Sequence, residues 1–269
     1  MGLALLYMVA GMSSRFGGKI KQFAEVGPNG ETLIEYSLDQ ALKTNAFDKI
    51  IFVVGNKTEE PFKTKFGNEY KGVLIEYALQ KFDPEKRNRP WGTQDALCSA
   101  IDFIDGEFIA ANGDEIYGEK AFQTLVDHAK TSETPAIIGY TLKNSLPETG
   151  NVNRGIILVD KDNNVKEMKE FKGISKQDFK SKGLSEESLC NRNLIYLNKE
   201  ILEELNQKMI KFKEEHQNDR DIESMLPDNL SQLIKEGKMA MKAYPTDFKA
   251  PEITNPDDEM TVKTILSKN

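Results

Sequence analysis

The chain has 269 residues, 39% hydrophobic and 29% charged, and a net charge of −7. That length supports one large domain or two small ones, and the acidic balance argues against general nucleic-acid binding, so any basic site must be local. Two cysteines, Cys98 and Cys190, are too few for a disulfide framework or a zinc knuckle and imply a reduced, cytoplasmic setting, while two histidines, His128 and His216, read as surface residues rather than a triad or multi-histidine metal site.

In chain order, the short apolar run Leu3–Ala10 reads as a buried parallel strand. It lacks the basic n-region of a signal peptide, and no apolar run approaches the ~20 residues that cross a bilayer. A helix over Thr32–Thr44 follows, then a strand at Lys49–Val54, a polar helix near Glu59–Glu69 and a strand at Gly72–Tyr77. Thr93–Phe103 reads as a helix, Glu107–Ala111 as a strand, Lys120–Lys130 as a helix and Ala136–Thr141 as a strand. This alternation predicts a mainly parallel sheet with right-handed crossovers and helices on both faces, and ligands then bind beyond the carboxyl ends of the strands. The second half is less regular. Gly155–Asp160 and Val165–Glu170 read as a hairpin, Lys172–Ser188 as a loop or short helices, and Asn193–Leu197 as a strand. Helices at Lys199–Gln217 and Ile222–Gly237 (interrupted near Pro227) and a last strand at Met239–Tyr244 complete the chain. With no clear linker or repeat, residues 1–269 read as a single domain with halves 1–140 and 141–269, the second forming a cap over the sheet.

Directly after the first strand comes MVAGMSSRFGGKIKQF, residues 8–23, with three glycines and three basic residues, Arg15, Lys19 and Lys21. Glycines allow backbone N–H groups to approach an anion, and the nearby cations add charge, so the stretch reads as a polyphosphate site. It is neither a P-loop nor a GxGxxG turn. Asn112-Gly113-Asp114 ends a strand on the same edge of the sheet. A hard cation such as Mg2+ takes one or two carboxylates with phosphate oxygens and water, and Asp114 is placed to supply one.

The segment AGMSSRFGGKIKQFAEVGPNGETLIEYSLDQALK resembles the signature of the sugar-phosphate nucleotidyltransferase superfamily, nearest to a subgroup with GGLKQ, VGPNGE and PWGT signatures. It departs at Met12-Ser13, where a second glycine is common, and at Ile20, where a proline usually precedes the lysine. RPWGTQDAL, residues 89–97, resembles "KPWGTGHAVL", with Asp95 replacing the histidine, a change expected to alter how the helix start is capped. The resemblance extends over nearly the whole chain. It implies a three-layer, Rossmann-like, mixed but mostly parallel α/β sheet of the GT-A type. It further implies a Mg2+-dependent enzyme that joins a nucleoside triphosphate to a small phosphorylated acceptor, by default a sugar 1-phosphate, and releases pyrophosphate. Neither nucleic acid nor membrane is an expected partner.

The resemblance also assigns residues. Arg15 and Lys21 are the catalytic candidates, and Asp114 the metal ligand. Ala10, Gly11, Met12, Ser13, Gln80, Gly92, Thr93 and Asn112 would bind the nucleotide, with Gln80 reading the base. Gly155, Glu170, Lys172 and Asn191 would bind the acceptor. Trp91 reads equally as a core anchor or a lid. ITNPDD resembles "VTxPED", where relatives often place a second metal-binding Asp or Asn; this chain departs from them with Glu252 and Thr254 there, which leaves a second protein ligand open, and Thr254 would cap the last helix. The basic insertion Lys81–Arg89 and the segment Lys172–Ser188 are expected to shape the way in for the acceptor. The alternatives are a cytidylyltransferase acting on phosphocholine or a polyol phosphate, or a non-catalytic nucleotide-sugar binder. A glycosyltransferase would show Asp-x-Asp where this chain has Asn112-Gly113-Asp114-Glu115. A dinucleotide oxidoreductase would show GxGxxG and an acid where the second strand ends in Val54-Gly55-Asn56.

Overall fold

The computed structural model describes residues 2–11, 16–17, 19–147, 150–251, 253 and 258–267. The strands among them are β1 Leu3–Met8, β2 Phe47–Val54, β3 Glu69–Tyr70, β4 Val73–Leu79, β5 Phe108–Asn112, β6 Ala136–Thr141, β7 Val152–Val159, β8 Val165–Ile174, β9 Leu189–Leu197 and β10 Lys242–Thr246. The α-helices are α1 Leu33–Leu42, α2 Glu59–Phe66, α3 Thr93–Cys98, α4 Glu119–Ala129, α5 Lys199–Glu215, α6 Leu226–Lys235 and α7 Asp258–Leu266. The main path of the sheet runs β10-β6-β9-β5-β1-β2-β4-β3, with the β7–β8 hairpin attached along β9.

The alternation of side chains along β1 builds two cores. Leu5 and Tyr7 face one layer, where they join Ile34 and Leu38 of α1, Phe62 of α2 and Phe122 of α4. Leu6 and Met8 face the other, with Leu97 of α3, Leu202 of α5 and Leu230 of α6. A strand covered on both faces has no polar positions, which is why this run carries no alternating polar pattern. The result is the expected α/β architecture, a mixed and mostly parallel sheet between helical layers.

The chief departure from a parallel sheet is β9, which lies antiparallel between β5 and β6. Running backwards, it brings its N-terminal half, with Asn191 to Asn193, to the carboxyl ends of its two neighbours. Its register with β6 shifts between Ile137 and Gly139, and Asn193 adopts φ +58°. Asn191 and Asn193 hold this irregularity with reciprocal bonds: the Asn193 N–H donates to Asn191 Oδ1 at 2.7 Å, and Asn191 Nδ2 to Asn193 Oδ1 at 2.8 Å. Bulges of this kind commonly sit beside functional sites, where they re-aim side chains.

Several boundaries differ from expectation. The helix expected over Thr93–Phe103 stops at Cys98 and resumes as a 3-10 turn at Ile101–Phe103. The helix expected from Ile222 begins at Leu226, because Pro227 suits a first turn and not an interior. The last strand lies at Lys242–Thr246 instead of starting at Met239. His128 is buried, hydrogen-bonded to the Tyr244 hydroxyl at 2.8 Å and the Thr134 carbonyl at 2.7 Å, which corrects its reading as a surface residue. Both cysteines are buried. Among the described residues no helix is long and apolar enough to cross a membrane.

Candidate active site

The carboxyl ends of β1 and β5 lie side by side, Met8 in register with Asn112. The Gly113 N–H donates to the Met8 carbonyl at 2.9 Å, and a Cβ on Gly113 would come within 2.3 Å of Val9 Cγ1, so only glycine lets the two strand ends close. The chain then presents Asp114 to Lys21, whose Nζ reaches Asp114 Oδ2 at 2.9 Å. Lys21 opens a 3-10 turn, Lys21–Phe23, in the connection between β1 and α1. The two side chains are 17% and 40% exposed, so the pair faces a solvent-filled space.

That space is a cleft of about 600 Å³, and it gathers Ala10, Gly11, Lys21, Gln80, Gly92, Thr93, Asn112 and Asp114 of the sequence-derived candidates. Gln22 also lines it, buried, with an Oε1 that has no partner among the described residues. Met12, Ser13, Arg15, Glu252 and Thr254 lie outside the described residues.

The other end of the cleft is densely built. Gln80 follows β4, its N–H bonded to the Val54 carbonyl at 2.8 Å. Its Nε2 donates to the Gly92 carbonyl at 3.1 Å and to Asp95 Oδ2 at 2.9 Å. Lys213, from α5, pairs with Asp95 Oδ1. The side chain of Asp95 therefore does not cap α3; it anchors Gln80. Gly92 sits at φ +100°, with its Cα so near residue 224 that a Cβ would lie 2.5 Å from the Ser224 carbonyl oxygen. Backbone bonds stitch the two segments together: the Ser224 N–H to the Trp91 carbonyl at 2.7 Å, the Gln94 N–H to the Ser224 carbonyl at 3.1 Å.

Trp91 is a core anchor. Its ring carries the Arg87 guanidinium 3.3 Å from the centroid on one side and meets Phe212 edge-on at 6.2 Å. Arg87 is only 2% exposed and donates to backbone carbonyls of Asp219 (2.6 Å), Arg89 (3.2 Å) and Ile222. Burial lowers its pKa, opposed by the nearby carboxylates of Asp219, Asp221 and Asp95. The insertion Lys81–Arg89 is thus strapped to residues 219–224. It walls the Gln80 end of the cleft and a neighbouring cavity of about 350 Å³ that shares Ala10, Gln80, Asn88 and Pro90 with it.

The acceptor candidates form a separate group. Gly155 pairs with Glu170 across the β7–β8 hairpin, and a Cβ on Gly155 would lie 3.7 Å from Asn191 Cβ and 3.8 Å from Glu170 Oε2. Lys172 is two residues along β8, on the face of Glu170. These four residues do not line the 600 Å³ cleft, and neither does the segment 172–188. The link between the groups is the Arg192 carbonyl, which accepts from Asn112 Nδ2 at 3.4 Å and from the Tyr117 hydroxyl at 3.0 Å. Arg192 also reaches Glu115 Oε2 at 2.5 Å, beside Asp114. Tyr117 is fully buried, which raises its pKa well above the ordinary value and keeps the hydroxyl a donor. Sequence reasoning missed Tyr117, Arg192, Ser224 and Lys213. None belongs to a local motif, and each has a bonded partner more than 70 residues away in the chain, although the Tyr117 hydroxyl also accepts from the nearby Asn112 N–H at 2.7 Å.

Residues 19–247 match the family model for the nucleotidyl transferases. No curated protein sequence matches the chain. Among solved structures, it resembles a provisionally named glucose-1-phosphate thymidylyltransferase of Bacillus anthracis crystallised with sucrose, at 12% identity and TM-score 0.71, covering 100% of this chain and 96% of that one. It also resembles an inositol-1-phosphate CTP transferase of T. maritima, at 15% identity and TM-score 0.68, covering 99% and 96%. A UDP-glucose pyrophosphorylase complexed with UDP-glucose gives 14% identity and TM-score 0.65, covering 100% and 99%. At these identities the likeness is one of fold, whereas the family match spans most of the sequence; the chain belongs to the nucleotidyl transferase family.

Proposed function

We propose that the protein transfers a nucleotidyl group from a nucleoside triphosphate to a sugar 1-phosphate, giving a nucleotide sugar and pyrophosphate. The observation that carries this reading is the cleft itself, with an ammonium–carboxylate pair at one end and a buried amide at the other. A triphosphate demands cations and a base demands a shaped, hydrogen-bonding wall, and the cleft offers each at its own end. The resemblance to the subgroup with PWGT signatures and to a UDP-glucose pyrophosphorylase favours a sugar phosphate as acceptor.

In this reading an oxygen of the acceptor phosphate attacks the α-phosphorus in line, and the bond to the bridging oxygen of pyrophosphate breaks. The acceptor is already anionic, so no base is needed to activate it. Lys21 neutralises the α-phosphoryl group as charge develops on it, which is the largest contribution such a site makes. Arg15 is assigned to the β- and γ-phosphates, with the Gly11 backbone beside them. Gln80 and Gly92 hold the base, and Gly155, Glu170, Lys172 and Asn191 hold the sugar phosphate. Alignment of the two reactants then supplies the rest of the rate enhancement.

Asp114 fits a divalent cation. Among the described residues no set of three acidic, histidine or cysteine ligands surrounds it, so Mg2+ held there would take its other ligands from phosphate oxygens and water, as that ion prefers. When bound, it would offset phosphate charge. A polyol phosphate is the second reading for the acceptor, favoured by the "KQF" of the Lys21 turn and by the likeness to an inositol-1-phosphate CTP transferase.

The test is pyrophosphate release with Mg2+, each nucleoside triphosphate in turn, and a panel of sugar, polyol and choline phosphates. Release with one triphosphate and one sugar 1-phosphate, lost in Lys21→Ala, is the expected result. Release with a polyol phosphate alone moves the assignment to the second reading, and tight nucleotide binding with no release from any pairing sinks both.

A further inference from the structure

Among the described residues, the charged side chains that line the cleft are Lys21, Arg89, Asp114 and Glu223, and they stand in two pairs. Arg89 Nη1 lies 3.0 Å from Glu223 Oε2 beside the strap, and Lys21 Nζ lies 2.9 Å from Asp114 Oδ2 at the strand ends. This lining carries no net charge, although a triphosphate brings several negative ones. The next carboxylate in the chain has none to spare, since Glu115 is held by Arg192, whose side chain is only 6% exposed. Asp114, 40% exposed, is the carboxylate at the strand ends that a cation can reach, and Lys21 already sits on it.

Parting Lys21 from Asp114 with nothing in their place costs the energy of the pair in a part-buried setting. A divalent cation arriving by itself supplies no anion for Lys21, and if it shared the carboxylate its two charges would stand beside the ammonium. A triphosphate without metal supplies an anion for Lys21 but sets the carboxylate of Asp114 against phosphate oxygens. Together, the two let Lys21 take phosphate while Asp114 takes the cation, and every opposite-charge contact is replaced.

We propose that Lys21 and Asp114 form an exchange pair, which admits a divalent cation and a triphosphate together and holds off either one alone. The inference deepens the nucleotidyl-transfer reading and rests on it. It gives Lys21 a task before any chemistry, that of guarding the metal carboxylate. It also requires that removing either partner improve the binding of what that partner holds off, the reverse of what losing a binding residue brings.

Two titrations of the full chain test this. In the first, Mn2+ is added without nucleotide and followed by its electron paramagnetic resonance signal. Lys21→Met should bind it at least about tenfold more tightly than the parent, because the ammonium no longer opposes it. In Lys21→Met with Asp114→Asn that gain should vanish, which separates this site from the other carboxylates of an acidic chain. In the second, UTP, dTTP, GTP, CTP and ATP are each titrated in EDTA and with Mg2+. The parent should bind its preferred triphosphate at least about tenfold more tightly with Mg2+. In EDTA, Asp114→Asn should bind that triphosphate about tenfold more tightly than the parent does, since Lys21 has no such carboxylate to leave and none faces the phosphates. A pair that only braced the fold would leave both affinities where they were or lower them. An unraised Mn2+ affinity in folded Lys21→Met, an unraised affinity in EDTA in folded Asp114→Asn, or a parent indifferent to Mg2+ overturns the proposal. Lys21→Gln and Asp114→Ala stand in for a variant that fails to fold and carry the same expectations. Absence of binding by every triphosphate with Mg2+ present sinks the nucleotidyl-transfer reading, whereas binding with Mg2+ but without both gains sinks this inference alone.

Discussion

The two ends of the cleft are built on opposite physical terms. At one, Lys21 and Asp114 pair at 2.9 Å while standing 17% and 40% exposed. At the other, Gln80, Arg87 and Asp95 are 4%, 2% and 2% exposed, each fixed by several bonds. The difference suits what each end would do in the proposed nucleotidyl transfer. A cation that is to exchange a carboxylate for a phosphate must not be locked or dried out, because a buried pair would resist separation. A wall that reads the edge of a base gains by being fixed beforehand, since ordering it on binding would cost affinity.

The largest effect is expected at the buried end. Trp91→Ala removes the surface on which Arg87 stacks and should cost about 3–5 kcal/mol in denaturant unfolding, as large-to-small aromatic changes do. A loss too small to measure would show that the strap stands without its anchor. Lys21→Ala should do the reverse, lowering kcat by about 10²–10³, the loss seen when one oxyanion-stabilising group is removed, with little change in melting temperature. If its stability fell as far as that of Trp91→Ala, the contrast between the ends would be broken.

Gly92→Ala tests the buried end from the backbone. At φ +100°, with a Cβ 2.5 Å from the Ser224 oxygen, alanine should cost about 1–3 kcal/mol and weaken nucleotide binding together with stability. A smaller and pH-dependent effect belongs to Glu35, which secures the helix that follows the Lys21 turn. Burial would raise its pKa, but Lys65 at 2.8 Å and Thr32, whose N–H donates at 2.9 Å and hydroxyl at 2.6 Å, bring it below the ordinary 4.5. A lowered folded-state pKa means a contribution fully present above pH 4.5 and lost as the pH falls through the lower folded value. Glu35→Gln should therefore cost about 1 kcal/mol at neutral pH, and the difference from the parent should close in urea titrations taken below that range. The smallest effect is expected at Arg89, two residues from Arg87 but half exposed in its pair with Glu223. Arg89→Ala should leave the melting temperature where it was, which would show that burial, and not charge, makes the strap.

Much of the site was legible in the sequence because its parts are local. The apolar run Leu3–Ala10 followed by glycines and Lys21, and Asn112-Gly113-Asp114 after a second run, each name a strand end, and α/β topology brings strand ends together. Lys21 and Asp114 meet as that logic requires. Gln80 was found through a resemblance, but the reason for its orientation was not, since Asp95 and Lys213 are 118 residues apart in sequence. Likewise Asp95 was expected to matter for helix capping, and its carboxylate instead turned inward to Gln80.

By itself, the sequence determined which segments are strands and helices, through periodicity and burial demand, and which residue types gather at the parallel strand ends. The tertiary structure alone decided that β9 runs backwards between β5 and β6, so that Arg192 supports Asn112 from the far half of the chain. It alone decided that the insertion Lys81–Arg89 is strapped to 219–224 by carbonyls accepting from Arg87. The physical reason is the same in each case: backbone carbonyls carry no sequence signature, so an arrangement built on them is invisible until the chain has folded around it.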